Sequence, residues 1–86
     1  MGGLKQQTVN LPLSYCSAAA LRKLRQKKGM NQAEFWGQIG VTQSGGSRYE
    51  NGRHVPPIVA MAVELAHGPK ATAEHLLVVL RREQTV

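Results

Sequence analysis

From Ser17 onward the apolar positions recur at helical spacing rather than in alternation. Ser17 is placed to cap a helix whose apolar side holds Ala18, Leu21 and Leu24, and Gly29 stands where a terminating glycine belongs, just after Lys28. Asn31 predicts the cap of a second helix, from Gln32 to about Ile39. Phe35, Trp36 and Ile39 share one side of it, and Glu34 occupies the third helical position, where a carboxylate closes a capping box. Gly40 ends that helix. Thr42 then caps a third one, roughly Gln43 to Glu50, closed by Asn51-Gly52. Pro56-Pro57 launches a fourth, in which Ile58, Met61, Ala62 and Leu65 follow the i, i+3, i+4, i+7 rule until Gly68-Pro69 stops it. The last segment, about Thr72 to Arg82, repeats the rule with Ala73, Leu76, Leu77 and Leu80. Leu76 to Leu80 would also suit a buried strand, but no partner strand is legible, so helix is the better reading. The expected fold is all-α: a compact domain of five helices over residues 15–86, preceded by an N-terminal arm over residues 1–14.

Composition narrows the function classes. Eighty-six residues, 42% hydrophobic but only 5% aromatic, are expected to form one small domain without the depth to enclose a cofactor, and without an effector domain. The single cysteine, Cys16, excludes an intrachain disulfide and a multi-cysteine zinc site, and is read as a small apolar residue. His54, His67 and His75 have no ligand spacing with it or with each other, so no metal is expected. The five acids are all Glu, scattered at positions 34, 50, 64, 74 and 83, and nothing pairs a nucleophile with a base. An enzyme is not expected. No apolar run approaches the roughly 20 residues that span a bilayer, and the start lacks a signal-peptide pattern, so the expected location is cytoplasmic. Eleven Lys and Arg against five Glu give a net charge of +6. That balance suits a polyanionic partner, nucleic acid before an anionic membrane.

The stretch Asn31 to Gly52 carries the candidate chemistry. Two short helices joined by Gly40-Val41-Thr42 make a helix-turn-helix, the unit that lays its second helix in the DNA major groove. Gln43 and Ser44 come first on that helix, with Ser47 and Arg48 one turn later, so these four are the candidates for reading base edges. A glutamine amide suits adenine and an arginine suits guanine. For Ser44 and Ser47 the plain alternative is a solvated or cap-competing hydroxyl, and for Arg48 a phosphate contact. Gln32 opens the second helix, where backbone N–H groups favour a phosphate. Thr42, Asn51 and Arg53, at the ends of the third helix, are further phosphate candidates, with Asn51 equally readable as a turn former. Arg22 to Lys28 holds five basic residues in seven. That run reads as a solvated face or as a flank for DNA phosphates, with Lys27 and Lys28 foremost.

Three strings, Asn31-Gln32-Ala33-Glu34, Ile39-Gly40-Val41-Thr42-Gln43-Ser44 and Ser47-Arg48-Tyr49-Glu50-Asn51-Gly52, resemble the lambda repressor-like, Cro-type helix-turn-helix (XRE) family. The resemblance covers about residues 17–67. It implies a sequence-specific DNA-binding domain, usually a dimer on a near-palindromic operator. Gln43, Ser44 and Arg48 match base-reading positions, Gln32 a position used on the DNA backbone, and Arg25 with Glu50 a partly buried structural ion pair. Removing one partner of such a pair costs on the order of 3–5 kcal/mol when it is fully buried.

Two departures stand out. This chain has Trp36 where the family usually carries alanine, and Gly45-Gly46 where position 46 usually carries a branched aliphatic. The favoured reading is compensation, the indole filling the space that the missing side chain leaves. The alternative is that a glycine lets the backbone approach a phosphate or a base. Two glycines inside a helix cost roughly 0.8–1.0 kcal/mol each against alanine, so the recognition helix is expected to be marginal and to tighten on DNA.

The leading functional reading is an operator-binding transcriptional regulator. The rivals are an antitoxin, whose main partner is a toxin protein, and a protein-interaction module without DNA affinity. The run Leu76-Leu77-Val78-Val79-Leu80 holds more apolar surface than one core-facing stripe needs. Leu77, Val78, Val79 and Leu80 are therefore expected at a homodimer interface, joined by Leu11 and Leu13 of the arm and by Tyr15 directly after it. The alternative is a core that wraps far enough round the helix to bury both valines.

Overall fold

Local chemistry starts and stops each element. The computed structural model describes residues 15–82; the arm over residues 1–14, with Leu11 and Leu13, and the last four residues lie outside the described residues. The Ser17 side chain accepts from the Ala20 N–H at 3.1 Å and opens α1 (Ala18–Lys27). Lys28 caps its end, and Gly29 follows at φ +68°, the left-handed conformation that suits glycine. At α2 (Gln32–Gly37) the capping box is complete: Asn31 accepts from the Glu34 N–H at 2.8 Å, and Glu34 accepts from the Asn31 N–H at 3.0 Å. The helix ends two residues before the expected Ile39. Ile39, Gly40 and Val41 donate instead to the carbonyls of Trp36 and Gly37 in a tight turn. Thr42 opens α3 (Gln43–Glu50) by accepting from the Gly45 N–H at 3.0 Å. Pro56 and Pro57 start α4 (Pro57–His67), and α5 (Lys70–Arg82) begins two residues ahead of the expected Thr72, directly behind Pro69.

Among the described residues the architecture is all-α. The packed pairs are α2 with α3, α1 with α3, and α4 with α5. Leu21, Phe35, Trp36, Val55, Ala60 and Val63 form the buried core, with Leu24, Ile39, Val41 and Tyr49 packed against its edge. The expected face of α4 is corrected. Ile58 is 70% exposed and Leu65 40%, while Ala60, Val63, Glu64 and His67 are buried. Those four also obey the i, i+3, i+4, i+7 rule, so two stripes competed, and the one that packs on Phe35 carries a Glu and a His. The α5 stripe is corrected as well: Leu76 is buried and Ala73 and Val79 half-buried, but Leu77 and Leu80 are exposed.

Both buried polar groups of α4 have local reasons to be there. Glu64 accepts a 2.6 Å hydrogen bond from the Thr72 hydroxyl, fastening α5 to α4. The His67 ring stacks on Phe35 at 4.0 Å between centroids and 12° between planes. Its Nε2 lies 2.9 Å from the Phe35 carbonyl oxygen, which only accepts, so Nε2 carries the proton. Nδ1 is then a bare, buried acceptor with no partner among the described residues. Burial holds the imidazole below its ordinary value of 6.5, helped by nearby Lys28 and opposed by the bond to Phe35.

That depression has a sign. The unfolded chain takes up a proton at His67 before the folded chain does, so this contribution to stability is complete above pH 6.5 and declines as pH falls below it. In urea titrations between pH 8 and about pH 5, His67→Gln, which keeps a donor for Phe35 but cannot be protonated, is expected to flatten the decline. An unchanged slope in the variant would show that other groups set it.

Candidate nucleic-acid interface

The turn between α2 and α3 aims the second helix. Gly40 adopts φ +78°, and the Val41 N–H closes back on the Trp36 carbonyl at 3.0 Å. With Thr42 satisfying the first turn, α3 projects Gln43, Ser44 and Arg48 into solvent. Ser47 is half-buried. Its carbonyl accepts from the Asn51 side chain at 2.7 Å, so Asn51 is engaged in closing α3. Arg53 is exposed just beyond, its guanidinium 5.9 Å from the Tyr49 ring centroid. Thr42, Lys27 and Lys28 are exposed too, the two lysines at the end of α1.

Beneath this surface lies a saturated carboxylate. Glu50, 1% exposed, receives Arg25 Nε at 2.8 Å on Oε2 and Arg25 Nη2 at 2.9 Å on Oε1, a bidentate pair tying α1 to α3. Trp36 Nε1 donates to Oε2 at 2.8 Å and Gln32 Nε2 to Oε1 at 3.3 Å. Arg25 also reaches the Met30 carbonyl at 3.1 Å, and Arg22 donates to the main-chain carbonyl of Glu50. Burial alone pushes the Glu50 carboxyl up, but the bonds from Arg25, Trp36 and Gln32 outweigh it and hold the group below the usual carboxylate range. It stays an anion, and an anion can only accept.

The consequence reaches the surface. Gln32 turns its Nε2 to Glu50, which leaves its Oε1 to accept from Gln43 Nε2 at 3.0 Å. One hydrogen-bonded chain therefore runs from the buried ion pair to the first residue of α3. The sequence reading missed it. Trp36 entered that reading as a volume filler, and nothing in the pattern of residues shows that an indole N–H will meet a carboxylate fourteen residues on.

The two glycines of α3 face the protein. A Cβ on Gly46 would lie 2.1 Å from the Trp36 ring, and one on Gly45 would lie 3.1 Å from Thr42 Oγ1 and 3.3 Å from Val41 Cγ1. The indole occupies the volume that a side chain at position 46 would need.

A family model for the RsaL-like HTH domain matches residues 22–66, from α1 through α3 into α4 and a little over half of the chain. The chain belongs to that family. No curated protein and no solved structure matches it significantly. The RsaL-like match spans the helix-turn-helix and the Glu50 network beneath it, and α5 lies beyond its end. Among the described residues no helix is long and apolar enough to cross a membrane.

Shared volume makes the sign of one substitution depend on another. Gly46→Ala should gain about 1 kcal/mol of helix propensity yet destabilise the RsaL-like domain by roughly 1–3 kcal/mol, because the methyl meets the indole. In a Trp36→Ala background the same change should stabilise. Denaturant midpoints of the four chains close the cycle, and additive effects would mean that the two positions do not share one space.

Proposed function

We propose that this RsaL-like HTH domain is a sequence-specific transcriptional regulator that lays α3 in the major groove of a near-palindromic operator and binds as a homodimer. The observation that carries this reading is the polarity of Gln43. With one N–H committed to Gln32, its amide keeps a free oxygen and a second N–H. That acceptor and donor match the N6–H and N7 of adenine in the major groove. Ser44 and Arg48 stand exposed beside it, and Arg48 suits guanine.

The finer assignment rests on the resemblance to Cro-type repressors. On it, Gln43, Ser44 and Arg48 meet bases, with Ser47 a lesser base contact because it is half-buried and faces Asn51. Gln32 meets a phosphate on the same resemblance, and Thr42, Arg53 and Lys28 are assigned to phosphates from their exposed positions at the helix ends. Asn51 serves mainly to close α3. The net charge of +6 supplies the long-range attraction to DNA. An antitoxin remains the second reading because Ile58 and Leu65 on α4 are exposed apolar residues that a toxin protein could cover.

Selection from a random DNA pool tests the proposal. The expected result is a two-fold symmetric site carrying adenine at the position that Gln43→Ala ceases to discriminate. On that site Gln43→Ala and Arg48→Ala should each lose about 1–3 kcal/mol while non-specific affinity holds. Lys28→Ala and Arg53→Ala should weaken binding to every sequence and reduce the salt slope by about 1. No enriched sequence, or equal losses on specific and random DNA for Gln43→Ala, would sink the reading.

A further inference from the structure

We infer that a second copy of this chain packs antiparallel on α5 about a two-fold axis between Leu77 and Val78, with Glu74 of each copy opposite the partner's Arg81. The inference rests on the homodimer reading above and adds its surface, direction and register.

The outer face of α5 is too apolar to be a solvated surface alone. Leu77 is 46% exposed, Val78 57% and Leu80 37%. Leu77, Val78, Arg81 and Arg82 line a shallow, largely apolar depression on this face. Glu74, Leu77, Val78 and Arg81 fall at i, i+3, i+4 and i+7, one stripe along the helix. Its order is acid, apolar, apolar, base. Glu74 and Arg81 are both exposed and lie equally far from the point midway between Leu77 and Val78.

That symmetry identifies the occupant. When two such stripes meet antiparallel at their midpoints, Leu77 and Val78 of one copy cover those of the other. Glu74 then faces the partner's Arg81 at both ends. A parallel pairing sets acid on acid and base on base. A slip of one helical turn leaves both charge pairs unmatched and half the apolar centre uncovered. A chain with a net charge of +6 also repels its own copy, and an acid at the contact offsets that repulsion where the two approach. The stripe is complementary to itself, which an arbitrary partner would have no reason to match.

Sedimentation equilibrium of the full chain without DNA tests the pairing. The wild type should dimerise. Glu74→Arg and Arg81→Glu should each weaken the dimer about tenfold or more at low salt, because each turns two attractive pairs into two repulsive ones. The double reversal E74R/R81E should return to within about threefold of wild type, since it rebuilds both pairs with the signs exchanged. Both positions are exposed, so circular dichroism should show every variant folded. Three results would overturn the inference: a wild-type monomer at high concentration, single reversals that leave the dimer unchanged, or a double reversal in which the two losses add. DNA binding is read separately. A chain that dimerises as described but selects no DNA sequence would overturn the functional reading and leave this one standing. A chain that selects DNA but dimerises without regard to positions 74 and 81 would do the reverse.

Discussion

Everything near the recognition helix depends on one carboxylate kept ionised in the protein interior. Glu50 lies at the end of α3, and taking its charge out of water carries a desolvation cost that must be met by donors in place. Arg25 from α1 supplies two, Trp36 and Gln32 from α2 one each. Three helices are therefore pinned at one point, and their relative angles follow from where those donors can stand. The group that organises the interior also sets which way the Gln32 amide faces, and through it the Gln43 amide at the surface. Two hydrogen bonds thus separate the buried carboxylate from the surface amide of Gln43.

What was legible in the sequence was what short-range chemistry decides. Ser17, Asn31 and Thr42 cap their helices because each must satisfy a backbone N–H within three residues, a requirement that spacing alone reveals. Gly29, Gly40 and Gly52 mark turns because their backbones take positive φ. The Trp36 and Gly46 exchange could be read because two departures from one pattern had opposite volumes. The face of α4 was less accessible. Ile58, Met61, Ala62 and Leu65 form a valid apolar stripe, and the stripe that packs contains Glu64 and His67. Each of those two finds one partner, the Thr72 hydroxyl and the Phe35 carbonyl, eight and thirty-two residues away, while Glu64 Oε1 and His67 Nδ1 have none among the described residues. Hydropathy cannot register such partners. The same limit hid the bonds from Trp36 and Gln32 to Glu50.

The contrast between α3 and α5 shows how a small chain divides its surface. On α3 the outward positions are polar and the space within is tight enough to require glycine at position 46. On α5 three large apolar residues, Leu77, Val78 and Leu80, stand exposed among charged ones, and Leu76 is its one fully buried side chain among the described residues. The family match ends at residue 66, so α5 lies outside the matched segment that holds the helix-turn-helix. Changes on the outer face of α5 should then have little effect on the Glu50 network, because α5 packs chiefly on α4.

Trp36 is the sole tryptophan of the chain, fully buried and bonded to the carboxylate beneath the recognition helix. Nature has in effect placed one fluorophore at the junction of the two helices that matter. Its emission reports on the immediate surroundings of an indole shielded from water, edge-on to Phe35 and tilted against Tyr49. Loosening of α3 from α2 would let water reach that ring, while a change confined to the outer face of α5 would leave it dark to the event. Intrinsic fluorescence of the unlabelled protein is therefore a local gauge of the helix-turn-helix rather than of the whole fold.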